Sequence, residues 1–160
     1  MNESILRAHI SRALDWADAH VDFDTAVSNM PVELRGAKPE KAAHTPWELV
    51  EHLRIAQEDI LDFCRNPDYW ERNWPDEYWP PTPAPPDGEA WSRSVDAFRR
   101  DREELKRLAL DPDVELFAAI PHGTGQTYLR ELMLVIDHDS YHVGQLVGLR
   151  IQLGCWPPKE

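Results

Sequence analysis

The sequence predicts an all-α protein, a single four-helix bundle domain spanning residues 1–160. Apolar residues recur with a period of about 3.6 along nearly the whole chain, and no convincing period-2 stretch interrupts them. Proline and glycine clusters divide this pattern into four segments. A chain of 160 residues fits one domain and is long enough to bury a hydrophobic core. Four amphipathic helices that share one core are typical of a bundle.

The first helix is predicted to run from Asn2, a residue type that caps helices, to about Asn29. Pro31 and Gly36 then end the helical pattern. The side chains that we expect on its apolar stripe are Leu6, Ile10, Ala13, Leu14, Ala17 and Val21. His9 and His20 also lie on this helix, and we expect them at its exposed or boundary positions.

The second helix has the clearest predicted start in the chain. Thr45 is a good N-cap, Pro46 suits the first helical position, and Glu48 completes a capping box. Glu48 also lies one turn before His52 and could orient that ring, but the capping role alone explains its position. The helix is predicted to end at Asn66-Pro67, because proline is poorly tolerated inside a helix.

Residues 67–88 form a long proline-rich connection. Six of the fourteen prolines of the chain lie within residues 74–88. This density excludes both helix and strand. The aromatic side chains between the prolines, namely Tyr69, Trp70, Trp74, Tyr78 and Trp79, favour a segment packed against the bundle. A polyproline recognition segment is the alternative interpretation.

The third helix is predicted from about Asp87 to Ala109, and the fourth from about Gln126 to Leu153, with Gly154 as its stop. A connection of about twenty residues easily spans a helix of about 30 Å. We therefore expect the connection between helices two and three to cross the length of the bundle. Helices two and three are then parallel, and the bundle order is up-down-down-up.

Charge and composition exclude several classes of function. The net charge is −12, which repels phosphate backbones and anionic lipid, so we expect no nucleic-acid and no membrane partner. The two cysteines, Cys64 and Cys155, cannot form a disulfide framework. Residues 1–20 show no secretory signal, so we expect a cytoplasmic protein. Neither a P-loop nor a serine nucleophile motif is visible.

Two histidines on the fourth helix indicate a metal site. His138 and His142 are four residues apart and share a face with apolar residues, which places both rings toward the core. His52 on the second helix also faces the core at a level that an antiparallel fourth helix would match. The other histidines, His9, His20, His44 and His122, compete for the role of third ligand. Core histidines bonded to tyrosines and carboxylates are the alternative without a metal.

The chain resembles the DinB-like superfamily of metal-binding four-helix bundles, which includes the YfiT type. The resemblance is carried by HTPWELVEHLRIAQEDIL (residues 44–61) and HGTGQTYLRELMLVIDHDSYHVGQLVGLR (residues 122–150). It implies the up-down-down-up bundle and one divalent ion held by His52, His138 and His142. Three imidazole ligands suit zinc or nickel, so we expect one of these ions.

Three imidazoles leave open coordination positions, which is typical of a catalytic metal. The resemblance implies either a metal-dependent hydrolase or a transferase that uses a low-molecular-weight thiol, acting on a small molecule. A non-catalytic metal-binding stress protein is the alternative. Glu131 is the candidate general base, while Glu131 and Gln145 on the same face are also suited to orient the histidines.

Two further expectations concern the surroundings of this metal site. We expect Trp70, Trp74 and Trp79 to wall a substrate pocket. The Gly144 and Gly148 pair suggests close packing with a neighbouring helix or with a second subunit in a homodimer.

Overall fold

The computed structural model describes residues 3–159, and this part of the chain is helical. No β-strand occurs among these residues, which contain a single isolated bridge between Ala119 and Thr127. The prediction of an all-α protein is therefore confirmed. The five α-helices are α1 (Glu3–Ala13), α2 (Phe23–Val27), α3 (Pro46–Arg65), α4 (Ala90–Leu110) and α5 (Tyr128–Gln152). Two short 3₁₀ helices lie at Val32–Leu34 and Asp76–Tyr78.

The predicted first helix is wrong in its extent, because it is divided into α1 and α2. Asp22 caps the start of α2 by accepting a hydrogen bond from the Thr25 amide at 2.8 Å. Arg102 of α4 pairs with Asp15 in the intervening turn at 3.0 Å and with Asp24 of α2 at 2.8 Å. These ion pairs hold the segment between α1 and α2 against α4, so the first helix does not continue beyond Ala13. The predicted cap at Asn2 lies outside the described residues.

The predicted ends of the other helices agree with the structure within a few residues. The capping box at Thr45 is confirmed, because its hydroxyl accepts from the Glu48 amide and the Glu48 carboxylate accepts from the Thr45 amide. At the end of α5, Gly154 has a φ of +71°, which favours glycine. The amides of Gly154 and Cys155 bond the carbonyls of Ile151 and Arg150, the two bonds of a Schellman motif.

Helix α3 lies at the centre of the fold and packs against both α4 and α5. The Gln57 side chain donates to the Phe98 carbonyl at 2.7 Å, and Arg65 pairs with Glu104 at 2.5 Å. Buried apolar side chains form two clusters. One contains Leu49 and Leu146, and the other contains Leu61 and Leu132. The histidines of α3 and α5 therefore lie between two apolar layers.

The proline-rich connection is tied to α3 by polar contacts. Asp59 accepts hydrogen bonds from the hydroxyls of Tyr78 at 2.6 Å and Tyr69 at 3.2 Å. Arg72 approaches the same carboxylate at 3.4 Å, and the Thr45 hydroxyl donates to the Pro83 carbonyl at 2.7 Å. The connection therefore packs on the bundle, as the aromatic content indicated.

Gly144 and Gly148 of α5 were expected to allow close packing with a neighbouring helix or with a second subunit. A Cβ placed on Gly144 or Gly148 would meet nothing within 4 Å, so packing against a neighbouring helix of the same chain does not explain these glycines. Packing against a second subunit stays a prediction.

Among residues 3–159, no helix combines the length and the apolar character that a membrane crossing requires.

Candidate metal centre

Three histidine rings converge between α3 and α5. His52 comes from the second turn of α3, while His138 and His142 come from successive turns of α5. One ring nitrogen of each histidine lies within 4.8 Å of the others. The Nε2 atoms of His52 and His138 are 3.0 Å apart. The structure therefore brings together all three histidines that the sequence selected, from two different helices.

The outer nitrogens of two rings are held by oxygen acceptors. His52 Nδ1 lies 2.8 Å from the Tyr78 carbonyl, and His142 Nδ1 lies 2.9 Å from the side-chain oxygen of Gln145. Because these oxygens only accept hydrogen bonds, each Nδ1 carries the proton and each Nε2 keeps its lone pair. Oxygen partners of this kind are characteristic of histidines that bind metals.

Asp139 is the outer neighbour of the third ring. Its Oδ1 lies 3.6 Å from His138 Nδ1, which is an ion-pair distance and too long for a hydrogen bond. Neither carboxylate oxygen has a hydrogen-bond partner among residues 3–159. Burial raises the pKa of Asp139, while His138 and Arg102 act in the opposite direction. The raised pKa favours the neutral carboxyl group of Asp139.

Burial keeps the inner rings uncharged. Removal from solvent lowers the pKa of His52 and of His142 to about 4, and the neighbouring histidines lower both values further. The hydrogen bond to Tyr78 acts in the opposite direction on His52. Both rings are therefore neutral at pH 7, which is the state that binds metal ions.

The donor set fits a divalent transition metal. His52 Nε2 directs its lone pair at His138 Nε2 across 3.0 Å, so either a proton or a cation lies between these two nitrogens. Zinc–nitrogen bonds of about 2.0–2.1 Å place tetrahedral ligand atoms about 3.4 Å apart. One pair of nitrogens lies at 3.0 Å, and all three lie within 4.8 Å of one another. A proton bridges two nitrogens, whereas a divalent ion satisfies all three.

A cavity of about 600 Å³ lies beside the three histidines. Its walls come from α3, α5, the proline-rich connection and the segment before α5. Trp74 lines the cavity, and Trp79 stacks on His52 with ring centroids 4.0 Å apart. Trp70 is 66% exposed and does not line the cavity. The expected tryptophan wall is therefore formed by one tryptophan, while a second one supports a histidine.

Glu131 lines the same cavity but lies away from the histidines. It is seven residues before His138 on α5, which corresponds to about 10 Å along the helix. Its carboxylate is buried and pairs with Arg130 at 2.7 Å. A general base must come within about 3 Å of the proton that it removes, or reach it through one water molecule. Glu131 thus lies on a part of the cavity wall that is about 10 Å along α5 from His138.

The competing side chains have other contacts. His44 stacks on the opposite face of Trp79 with ring centroids 3.8 Å apart, so Trp79 lies between His44 and His52. His122 lines the cavity, and its Nε2 lies 2.7 Å from the Phe63 carbonyl. Cys64 is buried, and burial raises the pKa of its thiol to about 12, which disfavours the thiolate that a metal requires.

Two contributors to this site were missed by the sequence analysis: Asp59 and the Tyr78 carbonyl. Asp59 had a visible signal, because it lies seven residues after His52 and so on the same face of α3. The Tyr78 carbonyl had none, since every residue carries a backbone oxygen.

Comparison with known families agrees with this geometry. The family model of the DinB superfamily matches residues 15–146. The chain belongs to the DinB superfamily. The matched part of this DinB protein includes His52, His138 and His142. No curated protein and no solved structure matches the chain.

Proposed function

We propose that this DinB protein is a divalent-metal-dependent enzyme that acts on a small molecule. Its reaction is either hydrolysis or transfer that uses a low-molecular-weight thiol. The observation that carries the proposal is a set of three imidazole nitrogens, buried between two helices, that borders a cavity of about 600 Å³. A cavity of this volume accommodates a small-molecule substrate.

His52, His138 and His142 are the proposed metal ligands, and zinc or nickel is the proposed ion. When bound, such an ion acts as a Lewis acid that lowers the pKa of a coordinated water or thiol. Other residues of the chain hold the histidine rings in position. Tyr78 and Gln145 hold two rings in the tautomer that binds metal, and Trp79 packs against the His52 ring. Trp74 and Phe63 line the cavity beside these rings.

The arrangement favours thiol chemistry over hydrolysis. Asp139 lies behind His138, and Glu131 is about 10 Å along α5 from it. An ion held by the three histidines would leave a coordinated water with a pKa of about 7, so a nearby base would still assist its ionisation. The same ion would hold a coordinated thiol as the thiolate without such a base, and the proton would pass to solvent.

A comparison of two proteins tests the proposed function. Metal-loaded protein and a His142→Ala variant are assayed in parallel against hydrolytic substrates and against electrophiles with several small thiols. We expect turnover that depends on a thiol in the wild-type protein only. Equal background rates in both proteins across the panel would favour a metal-binding stress protein without catalytic activity.

We further infer that the bundle order is up-down-down-up. The Gln57–Phe98 and Arg65–Glu104 contacts support this order, because residue numbers increase in the same direction along α3 and α4. Residues 67–88 then return the chain along the length of the bundle.

The distance between the two ends of this connection is a direct test. With spin labels at Arg65→Cys and Asp87→Cys in a Cys155→Ser background, we expect a separation of roughly 25 Å. A separation below about 15 Å would show a simple hairpin and contradict the proposed order. The double electron–electron resonance signal of singly labelled protein provides the control for any reaction at Cys64.

A further inference from the structure

The cavity has a second polar end, opposite the three histidines. We propose that this end binds a protonated amine of the substrate, so that the substrate spans the cavity between the metal and Glu131. This inference rests on the proposed function, because it assigns the opposite end of the substrate to the metal. It names a substrate class, namely molecules with a metal-binding group and an ammonium group about 10 Å apart.

The distance of about 10 Å follows from the seven-residue separation of a histidine and a carboxylate on both α3 and α5. Asp59 follows His52 by seven residues on α3, and Glu131 precedes His138 by seven residues on α5. Seven residues return to the same face of a helix and advance about 10 Å along its axis. Both carboxylates line the cavity that the histidines border. The two helices thus present acidic groups at one end of the cavity and imidazoles at the other.

The two carboxylates differ in how many hydrogen bonds they can still accept from a ligand. Asp59 is engaged by the hydroxyls of Tyr69 and Tyr78 and by Arg72. Burial raises the pKa of both phenols, which stay protonated and keep donating to Asp59. Asp59 therefore holds the cavity wall in place and has little capacity left for a ligand.

Glu131 is the carboxylate that remains available. Its side chain is only 3% exposed, and Oε1 pairs with Arg130 at 2.7 Å. Within residues 3–159, its second oxygen has no hydrogen-bond partner. Arg130 is itself 57% exposed, so the pair is solvated on the Arg130 side and only partly neutralises Glu131. An oxygen without a partner on a carboxylate that lines the cavity is a good acceptor for an ammonium group.

The walls between the two ends also favour a cation. Phe63, Tyr69, Trp74 and Tyr78 line the cavity on the side of the proline-rich connection. Aromatic faces attract ammonium groups and offer nothing comparable to a carboxylate. Glu71, a further lining residue, adds a negative charge, while Arg130 is the single lysine or arginine among the described lining residues. Charge and aromatic surface therefore point to the same ligand chemistry.

Three thiols of equal length test this inference. The probes are 6-aminohexane-1-thiol, 6-mercaptohexan-1-ol and 6-mercaptohexanoic acid, which differ only in the charge of the end group. Each is titrated into Co²⁺-loaded full-length protein, and the thiolate-to-cobalt absorption reports binding without any need for turnover. We expect the amine to bind at least about tenfold more tightly than the acid, with the alcohol between them.

Two variants test whether Glu131 causes the preference for the amine probe. Glu131→Gln keeps the size of the side chain and should bring the affinity for the amine down to that for the alcohol. Glu115→Gln removes an exposed carboxylate outside the cavity and should leave the order of the three probes unchanged. The order measured in the wild-type protein tests the inference even if Glu131→Gln does not fold.

Failure of the ammonium site and failure of the proposed function would give different results. Equal affinity for the three probes, or a preference for the acid, would overturn the ammonium site and leave the metal site intact. A protein that binds no Co²⁺, or whose Co²⁺ spectrum does not respond to any thiol, would contradict the proposed function instead.

Discussion

Replacing His52, His138 or His142 with alanine should remove most of the bound metal. The three rings converge from two helices, and no other group of three metal-binding side chains occurs within residues 3–159. Each substitution leaves two imidazoles, which is too few to hold zinc or nickel tightly. We expect the affinity to fall by more than the roughly 10–100-fold typical of losing an outer partner. The measurement is metal content by mass spectrometry after dialysis against a weak chelator.

The matched control is His20→Ala. His20 is exposed, and its Nδ1 lies 2.8 Å from the Val21 carbonyl, so its removal should leave the metal content unchanged. Full metal content in His52→Ala would contradict the three-histidine site. A ligand from another part of the chain would then have to be sought, with His44 and His122 as the first residues to test.

Gln145→Ala should weaken metal binding by roughly 10–100-fold without abolishing it. The Gln145 oxygen accepts the Nδ1 proton of His142 and so fixes the tautomer of a proposed ligand. Without this acceptor, the ring gains freedom to rotate and to place its proton on Nε2, both of which compete with the metal. Competition against a zinc-binding dye measures the change in affinity.

Gln152→Ala on the same helix is the control for that substitution. Gln152 is exposed and donates to the Gly148 carbonyl at the end of α5, away from the histidines. Its replacement should leave metal affinity unaltered. Equal affinities for Gln145→Ala and the wild-type protein would show that the His142 ring does not depend on this bond.

Local chemistry made much of the fold predictable. The start of α3 follows from Thr45 and Glu48, and the end of α5 from Gly154, because capping involves residues close in sequence. The division between α1 and α2 was not predictable in this way. It depends on the buried Arg102, which lies more than 70 residues from Asp24 in the sequence.

The candidate site was predictable only where helical periodicity applies. His138 and His142 share a face because they are four residues apart, and the resemblance to the DinB-like superfamily supported His52 as the third ligand. The Tyr78 carbonyl and the stacking of Trp79 on His52 depend on the path of a proline-rich segment. Such a path has no period and follows from packing against the rest of the fold.

We infer that three histidines hold one divalent ion beside an open cavity. X-ray absorption spectroscopy on purified, metal-loaded protein tests it most directly. We predict one ion per chain, with three imidazole nitrogens at about 2.0–2.1 Å and the remaining positions filled by ligands from outside the chain. Fewer than three imidazoles, or a fourth protein side chain that closes the coordination sphere, would contradict this account.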